Sequence, residues 1–473
     1  MKNFIHKSLL VALCSTAIIS CKPTFTALPA PSPGSADFSK FISIGDGTAG
    51  GYADASLNRD GQMAAFPNIL ATQLKLVGMQ GDFVQPLVEP GESYGYEDNK
   101  VCTKLQLLDS LFCDGKTELF PKHLSTASLG TIFPGNTYNI LSLKIATHPP
   151  YNNLAAQGAK LIYINKIPGW FHAPKASSTA ATYWQKIATT ASSTMLDDAL
   201  AQKPTFVSIN AGAVDVMRFA KSGGGQDPAG DDDMITPQSE FHDSLYSILN
   251  ALTGRGTGTA LKPANPANHV KGVIPNLIDL NSFPYVTYIK WNGLILDAAG
   301  ATALNTFHNH QFNFHAGANA YVIQDGSALN GKRQIKSDEF ILIEIPQDSL
   351  RCHSLGAQLP IWSRWVLDAA EINIINTTVA EYNSIIKAAA LAYNFAFVDA
   401  NTSFHAIKTG TQFEGITLNA QLVNGNYFSL DGLNIGPLGQ AAFANNCIVE
   451  INKLYGSTIP MADANQYKAV IFH

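Results

Sequence analysis

The sequence has few charged residues and no long basic run. Asp, Glu, Lys and Arg make up only 14% of its 473 residues, and 36 acidic residues outnumber 31 basic ones. A protein that follows the phosphates of a nucleic acid needs a cationic surface, so the composition argues against a nucleic-acid partner. Long apolar runs are missing beyond the N-terminus, which argues against a bundle of membrane-spanning helices. The 46% of hydrophobic residues is still enough to bury a substantial core.

The first twenty residues have the pattern of an export signal. Lys2 and Lys7 precede an apolar stretch over 8–19, which is too short to cross ~30 Å of hydrocarbon at ~1.5 Å per residue. The stretch ends in Ser20 and Cys21, and a small residue followed by cysteine resembles a bacterial lipobox. This resemblance implies cleavage before Cys21 and lipid attachment to its thiol. The alternative is an ordinary signal peptide with a chance cysteine.

The lipobox interpretation predicts a mature protein held at a membrane of the bacterial cell envelope, either periplasmic or surface-exposed. Residues 1–20 are predicted as the lipoprotein signal peptide, and residues 21–37 as a Pro/Ser-rich tether. The lipid on Cys21 would anchor the folded body, which begins at residue 38.

Cysteine is scarce, with six residues in the whole chain. Four of them lie beyond the N-terminal segment, at Cys102, Cys113, Cys352 and Cys447. Four cysteines allow three pairings. The shortest loop favours a disulfide between Cys102 and Cys113, and Cys447 lies in a helical apolar pattern typical of a buried thiol. None of the spacings is CxxC-like, so we expect no cysteine-based zinc site.

From residue 38 onward, short apolar runs alternate with segments of helical periodicity. Strands are predicted at 41–44, 161–164, 205–209, 271–274, 340–345 and 395–398. Helices are predicted from Pro67 onward, over 241–252, from a capping box at 378–381 onward, and from Pro437 to Gly456.

Strands separated by helices indicate βαβ units and a parallel sheet covered on both faces. We therefore predict one α/β domain over residues 38–457. Two stretches break the alternation, at about 78–150 and 292–337, and we interpret them as insertions. Residues 458–473 are predicted as a C-terminal tail.

Four segments at predicted strand ends resemble the blocks of the SGNH (GDSL-type) hydrolase family. Residues 43–52 read SIGDGTAGGY and are similar to its "GDSLTAGY" turn, and residues 152–160 read NNLAAQGAK, similar to "NNLGVPGAK". Residues 212–216 read GAVDV where the family has "GxND", and residues 429–434 read SLDGLN where it has "DxxH". The resemblance implies a three-layer α/β/α fold with a central parallel sheet, and an ester hydrolase as ancestor.

The catalytic positions of that family are mostly replaced. Gly47 stands at the nucleophile position, Val214 at the position of the oxyanion-binding Asn, and Asn434 at the position of the general base. None of these side chains supplies the family's nucleophile, oxyanion donor or base. The resemblance leaves Gly158 as a backbone oxyanion donor and Asp431 as an acid without its histidine.

Thr48 and a group of three histidines are weaker candidates. Thr48 is the hydroxyl nearest to the vacant nucleophile position, although a helix-capping role suits it better. His308, His310 and His315 would form a metal site if two of them shared a strand face, against the simpler reading of a polar insertion.

Loop residues offer further possibilities. Asp231, Asp232 and Asp233 fit a solvated loop better than a calcium motif. Loop aromatics that could stack on sugar rings, or simply cover the core, lie at Tyr94, Tyr96, Trp170 and Trp291.

Two functional classes follow. The first is a catalytically degenerate lipoprotein that holds an ester, a glycan or a protein partner in the old cleft, without a cofactor. The alternative is an active esterase or lipase-like hydrolase with a rearranged catalytic set, in which His353 or His405 would lie within reach of Thr48. The vacancies at Gly47, Val214 and Asn434 favour the first class.

Overall fold

A computed structural model describes most of the chain from residue 29 onward. The described ranges are 29–97, 100–113, 115–123, 126–128, 144–166, 179–225, 234–256, 258–260, 270–352 and 354–469. The predicted signal peptide and Cys21 lie outside them. Within these ranges no helix is both long enough and apolar enough to cross a membrane.

The described residues form short strands and helices of very different lengths. The strands are β1 (Phe41–Gly45), β2 (Tyr52–Ala53), β3 (Ser56–Asn58), β4 (Ser93–Glu97), β5 (Lys100–Cys102), β6 (Leu105–Leu111), β7 (Thr117–His123), β8 (Thr126–Ser128), β9 (Phe206–Asn210), β10 (Lys271–Pro275), β11 (Leu294–Leu296), β12 (Gly317–Asn319), β13 (Val322–Gln324), β14 (Lys332–Gln334), β15 (Phe340–Ile341), β16 (Val366–Leu367), β17 (Ala396–Val398), β18 (Thr411–Phe413) and β19 (Ile416–Leu418). The α-helices are α1 (Gly47–Gly50), α2 (Arg59–Met63), α3 (Phe66–Lys75), α4 (Thr179–Ile187), α5 (Met195–Ala201), α6 (Val214–Lys221), α7 (Gln238–Leu252), α8 (Pro284–Thr287), α9 (Ala298–Phe307), α10 (Gln347–Arg351), α11 (Ala369–Tyr393), α12 (Ala400–Thr409) and α13 (Pro437–Tyr455).

The core of the protein is a parallel sheet in the order β1-β9-β10-β17. Phe41 pairs with Phe206, and Gly45 with Asn210, so β1 and β9 end at the same edge. A further segment, 152–156, runs beside β1: the amide of Ser43 donates to the carbonyl of Asn152 (2.8 Å), and Ala156 donates to Gly45 (3.0 Å). With this segment counted as a second strand in chain order, the spatial order is 2-1-3-4-5, a doubly wound arrangement. The prediction of an α/β protein with a parallel sheet is confirmed.

Two predicted strands are wrong. Residues 161–164 begin as a 3₁₀ helix, Leu161–Tyr163, because the chain has already passed the sheet edge at 152–156. Residues 340–345 contribute only β15, which pairs antiparallel with β16 and lies outside the central sheet. Both runs are apolar because they are buried, and burial alone does not distinguish a strand from a tight turn.

Helices pack on the sheet in two groups. α3 lies against α13 through an edge-to-face pair of Phe66 and Phe443, with ring centroids 5.0 Å apart. α7 lies against α11, where Phe241 and Tyr382 stack with centroids 3.8 Å apart. Both α11 and α13 also contact β10 and β17, so each helix group covers the sheet.

The start of α11 differs from the predicted capping box at 378–381. The N-cap lies ten residues earlier, at Asp368, where Asp368 and Glu371 cap each other's backbone amides. Thr378 lies inside the helix and its hydroxyl donates to the carbonyl of Ile374 (2.8 Å). By contrast, α13 runs from Pro437 to Tyr455 and ends at Gly456, as predicted.

The two predicted insertions form substructures of their own. In the first, β6 and β7 make a hairpin, and β4, β5 and β8 extend the preceding β2–β3 hairpin into an antiparallel sheet. In the second, a separate hydrophobic cluster extends from Ile289 to Val366, well beyond the predicted end at residue 337. The apolar run at 340–345 predicts a strand of the core, so the sequence places the end of this insertion too early.

The disulfide joins these two insertions. Cys113, at the end of the β6–β7 hairpin, is bonded to Cys352, which follows α10. The predicted Cys102–Cys113 pair is therefore wrong, because Cys102 is a buried free thiol in β5. Cys447 is buried and free, as predicted.

Parts of the predicted tether and tail pack on the domain. The amide of Ser35 donates to the carbonyl of Tyr455 (2.8 Å), and Thr458 donates to Ser32 (2.9 Å). Asn445 of α13 exchanges two hydrogen bonds with the backbone of Ala462. The ordered body thus includes residues on both sides of the predicted 38–457 range.

Candidate functional site

The ends of β1 and β9 form the place where the strand order reverses. In doubly wound sheets, ligands bind outside the carboxyl ends of the strands at such a reversal. Asp46 directly follows β1, and its amide donates to the carbonyl of Asn210 at the end of β9 (3.0 Å). The Asp46 carboxylate accepts from the Asn210 side chain (3.2 Å) and from the amide of Thr48 (3.0 Å). Asp46, and not Thr48, is therefore the N-cap of α1.

Burial dominates the electrostatics of this strand end. Asp46 is 2% exposed, and burial, reinforced by the nearby Asp215 carboxylate, raises its pKa to about 7. Burial also raises the pKa of Asp215 to about 6, although two hydrogen bonds and the cations of Lys160 and Arg218 act against it. Two acids are thus held in a region where their charge is poorly solvated.

Gly47 faces the side chain of Gln157. A Cβ built on Gly47 would lie 1.9 Å from the Oε1 atom of Gln157 and 3.3 Å from the Cβ of Tyr52. The first distance is far shorter than any real contact, so the space that a side chain at position 47 requires is filled by the Gln157 amide. Any serine at this position needs the Gln157 side chain to rotate away.

The segment that contains Gly158 is joined by hydrogen bonds to α6, the helix that begins at Val214. Gly158 has a φ of +75°, and its carbonyl accepts from Arg218 of α6 (2.9 Å). Val214 begins α6, and the next residue, Asp215, accepts from the amide of Leu161 (2.7 Å) and from Thr236 (2.7 Å). The second and third sequence blocks are therefore tied together by Arg218 and Asp215.

Asp431 accepts four hydrogen bonds. Its donors are the amides of Ala55 (2.8 Å), Leu433 (2.8 Å) and Asn434 (2.7 Å), and the Nδ2 of Asn434 (2.9 Å). The Asn434 side chain thus makes the contact with Asp431 that a histidine makes in the family this segment resembles. An amide there binds the acid but accepts no proton from a nucleophile.

Two contacts connect the Asp431 loop and α13 to the first block. Asp54 and Ala55 form the two-residue turn between β2 and β3, and the amide of Asp54 donates to the Ser429 hydroxyl (3.0 Å). The buried Gln440 of α13 donates to the carbonyl of Thr48 (3.0 Å) and accepts from the amide of Phe66 (3.0 Å).

Of the two histidines proposed for a rearranged catalytic set, one is paired with an acid and the other lies outside the described residues. His405 of α12 contacts Asp279, with Nε2 3.0 Å from the carboxylate. His353 lies outside the described residues. Thr48 itself is half-buried at the start of α1.

The three histidines of the second insertion have different environments. His308 is buried, its Nε2 donates to the carbonyl of Ala357 (2.7 Å), and its Nδ1 lies 3.1 Å from the Lys332 ammonium. Burial lowers the pKa of His308, in keeping with a neutral ring. His310 and His315 are exposed, and residues 308–310 form a turn after α9, so His308 and His310 do not share a strand face. Within the described ranges, no group of three His, Cys, Asp or Glu residues is arranged to hold a metal ion.

The remaining loop candidates give little. Asp231, Asp232, Asp233 and Trp170 lie outside the described residues, as does the side chain of Tyr96. The Tyr94 hydroxyl donates to Glu92 (3.0 Å), and Trp291 is partly exposed at 37%.

Comparison with known proteins returns no relatives. No protein-family model matches the chain, and neither does a curated protein or a solved structure. The fold and the strand-end cluster therefore define the chain as an α/β protein with a four-stranded parallel sheet.

Gln157 and Gln440 are the residues that sequence reasoning missed. Gln157 takes the place of the proline in the quoted "NNLGVPGAK" block, and this difference was a visible signal. Gln440 gave no signal, because its contacts to Thr48 and Phe66 span more than 370 residues of sequence.

Proposed function

We propose that the chain is an exported lipoprotein built on an SGNH-hydrolase-like, three-layer α/β/α scaffold that has lost the hydrolase reaction. It uses the scaffold to hold an ester, a glycan or a protein partner. The 2-1-3-4-5 order of the sheet, the two helix groups and the position of Asp46 at the strand-order reversal all support this scaffold.

The observation that carries the proposal is the replacement chemistry at the strand end. The Gln157 amide fills the space beside Gly47, and the Asn434 amide binds Asp431. Both groups are neutral amides with no useful proton-transfer pKa, and neither is a nucleophile at neutral pH.

Magnitudes support loss of the reaction over a merely slower enzyme. In serine-hydrolase triads, loss of the serine or the histidine alone lowers turnover by about 10⁶. Loss of one oxyanion donor lowers it by a further ~10²–10³. With Gly47, Val214 and Asn434 at these positions, the family reaction has neither nucleophile nor base.

The disulfide supports the proposed compartment. Stable disulfides form in oxidising surroundings such as the periplasm or the cell surface. The Cys113–Cys352 bond therefore agrees with export, and lipid attachment at Cys21 completes the proposal. A Cys21→Ser variant that still fractionates with membranes and is processed like the parent would contradict the lipid anchor.

Reconstruction of the active site tests the proposed function. We expect the parent protein to hydrolyse p-nitrophenyl acetate no faster than a heat-denatured sample. The variant Gly47→Ser/Gln157→Ala/Val214→Asn/Asn434→His regains a nucleophile, room for it, a donor and a base, and we expect measurable turnover. The matched control has the same changes without Gly47→Ser, and we expect it to be inactive.

The alternative hydrolase makes a different prediction for the unmodified chain. Robust turnover by the parent protein that Thr48→Ala abolishes and Gly47→Ala leaves in place would overturn the proposal. It would identify Thr48 as the nucleophile of a rearranged set.

A further inference from the structure

A cavity of about 290 Å³ lies beside the Asp431 loop and is separate from the Gly47–Gln157 contact. Its walls are the β2–β3 turn with α2, the start of β6, the loop before α13, and the C-terminal segment 466–469. A volume near 300 Å³ is at the small end of ligand pockets, which suits a ligand of one or two rings.

Asp54 is the group in this cavity with binding capacity to spare. Its amide, carbonyl and Oδ1 are fixed by Ser429, Leu105 and the amide of Leu430 (3.0 Å), respectively. Its Oδ2 accepts no hydrogen bond from the residues that the structure describes. Three backbone-anchored contacts therefore hold a carboxylate in place with one oxygen left for a ligand.

The charges around the cavity have both signs. Lys104 lines the wall, but its ammonium is paired with Asp60 (3.0 Å). Lys468 of the C-terminal segment also lines the cavity and is exposed. The cavity is lined by two acids, Asp54 and Asp60, and by the two lysines, so its charges balance and a neutral ligand with hydroxyl donors fits best.

The uncharged part of the wall combines an aromatic ring with amides. Tyr467 is half-buried at the cavity, and Gln106 and Gln466 line it too. Sugar rings present apolar C–H faces to aromatic side chains, and their hydroxyls donate to carboxylates and exchange hydrogen bonds with amides.

We propose that this cavity is a carbohydrate-binding site for a neutral sugar ring, with Asp54 as the acceptor for its hydroxyls. The site goes beyond the proposed function, because it lies outside the strand-end cluster and would exist even if the chain hydrolysed esters.

Ligand-observed NMR on the full chain tests the proposal. The probes are neutral sugars (glucose, galactose, mannose, N-acetylglucosamine and their disaccharides), with ethanolamine as a cationic and glucuronate as an anionic comparison. We expect saturable binding of at least one neutral sugar, tenfold or more weaker in Asp54→Asn, which keeps the Oδ1 contact. Asp109→Asn, which removes an exposed acid from β6, should leave the affinity unchanged.

A second variant guards against an altered turn in Asp54→Asn. Met63→Trp adds bulk at the half-exposed Met63 in the cavity wall and should also abolish sugar binding. No saturable binding of any neutral sugar up to 50 mM, or binding that both variants leave intact, would overturn the proposal. Binding of ethanolamine or glucuronate alone would overturn the ligand class. None of these results depends on ester hydrolysis, so they are independent of the reconstruction experiment.

Discussion

Asp431 illustrates how a residue of the predicted catalytic set has a complete structural role. All of its four donors come from backbone amides or from Asn434, and one of them is the turn residue Ala55. A carboxylate with four donors fixes the loop before α13 without help from a histidine. At this position Asp431 still orients its partner side chain, but that partner is an amide, which has no useful pKa for proton transfer.

Asp46 gives a prediction about pH. Its pKa is raised from 3.8 to about 7, so folding favours the protonated form. The resulting stabilisation is complete below pH ~4 and is lost as the pH rises through 7. Asp46→Asn keeps the cap and removes the titration, so its stability should fall less than that of the parent between pH 5 and pH 8. In urea unfolding, the free energy of unfolding should fall between these two pH values by about 2–4 kcal/mol more in the parent than in Asp46→Asn.

The control for this experiment is Asp109→Asn, which removes an exposed charge in β6. It should follow the parent at both pH values. Asp215, with a pKa raised to about 6, leaves some pH dependence of the same sign in Asp46→Asn. If the stability of Asp46→Asn fell as steeply with pH as that of the parent, Asp46 would be ionised at little cost in the folded protein.

At the scale of elements, the β2–β3 turn is strained. Asp54 and Ala55 both have positive φ, +55° and +56°, as a two-residue type I′ turn requires. Asp tolerates this conformation, but Ala does so at a cost that Gly avoids. Ala55→Gly should stabilise the protein by about 0.5–1 kcal/mol in urea unfolding, because glycine adopts a positive φ without this cost. The backbone amide that binds Asp431 is retained.

The matched control is the same substitution inside a helix. Ala388 is exposed within α11, and Ala388→Gly should destabilise the protein by about 1 kcal/mol. Opposite signs for the two variants would attribute the gain to the turn. Destabilisation by Ala55→Gly would contradict the strain.

The elements also explain what the sequence could predict. The four strands of the central sheet are buried apolar runs bounded by turn residues, and they were predicted within one or two residues. The run at 161–164 is equally buried, but Asp215 accepts the amide of Leu161 and holds it in a 3₁₀ turn. The true cap of α11, Asp368 with Glu371, has the same spacing as the predicted one, so local pattern does not separate them.

The candidate site was predictable only where a local pattern carries it. The four blocks identified Gly47, Asp431 and Asn434, because each follows a strand or precedes a helix. Which side chains face them depends on contacts between distant segments, such as Gln157 against Gly47 and Ala55 against Asp431. Such contacts follow from tertiary packing, which single-sequence patterns do not encode.

At the scale of the whole molecule, the Cys113–Cys352 bond connects the two insertions through cysteines that are 239 residues apart in sequence. The same junction contains Arg351, whose guanidinium lies 3.8 Å from the Phe112 ring centroid and 2.8 Å from Glu118. Closing so long a loop restricts the unfolded chain strongly, so Cys113→Ser/Cys352→Ser should lose about 2–5 kcal/mol of stability. The parent protein should show the same loss in the presence of reductant, and the double variant should be insensitive to reductant.

Peptide mapping without reductant decides between the two pairings that sequence and structure favour. A crosslinked peptide pair containing Cys113 and Cys352 is expected, with Cys102 and Cys447 alkylated only after unfolding because both are buried. A Cys102–Cys113 crosslink would instead leave Cys352 free and would detach the β6–β7 hairpin from the second insertion. In that case reductant should leave the second insertion's susceptibility to protease unchanged. The Cys113–Cys352 bond predicts instead that reductant makes both insertions susceptible together, because each loses the surface that Arg351 and the disulfide hold against it.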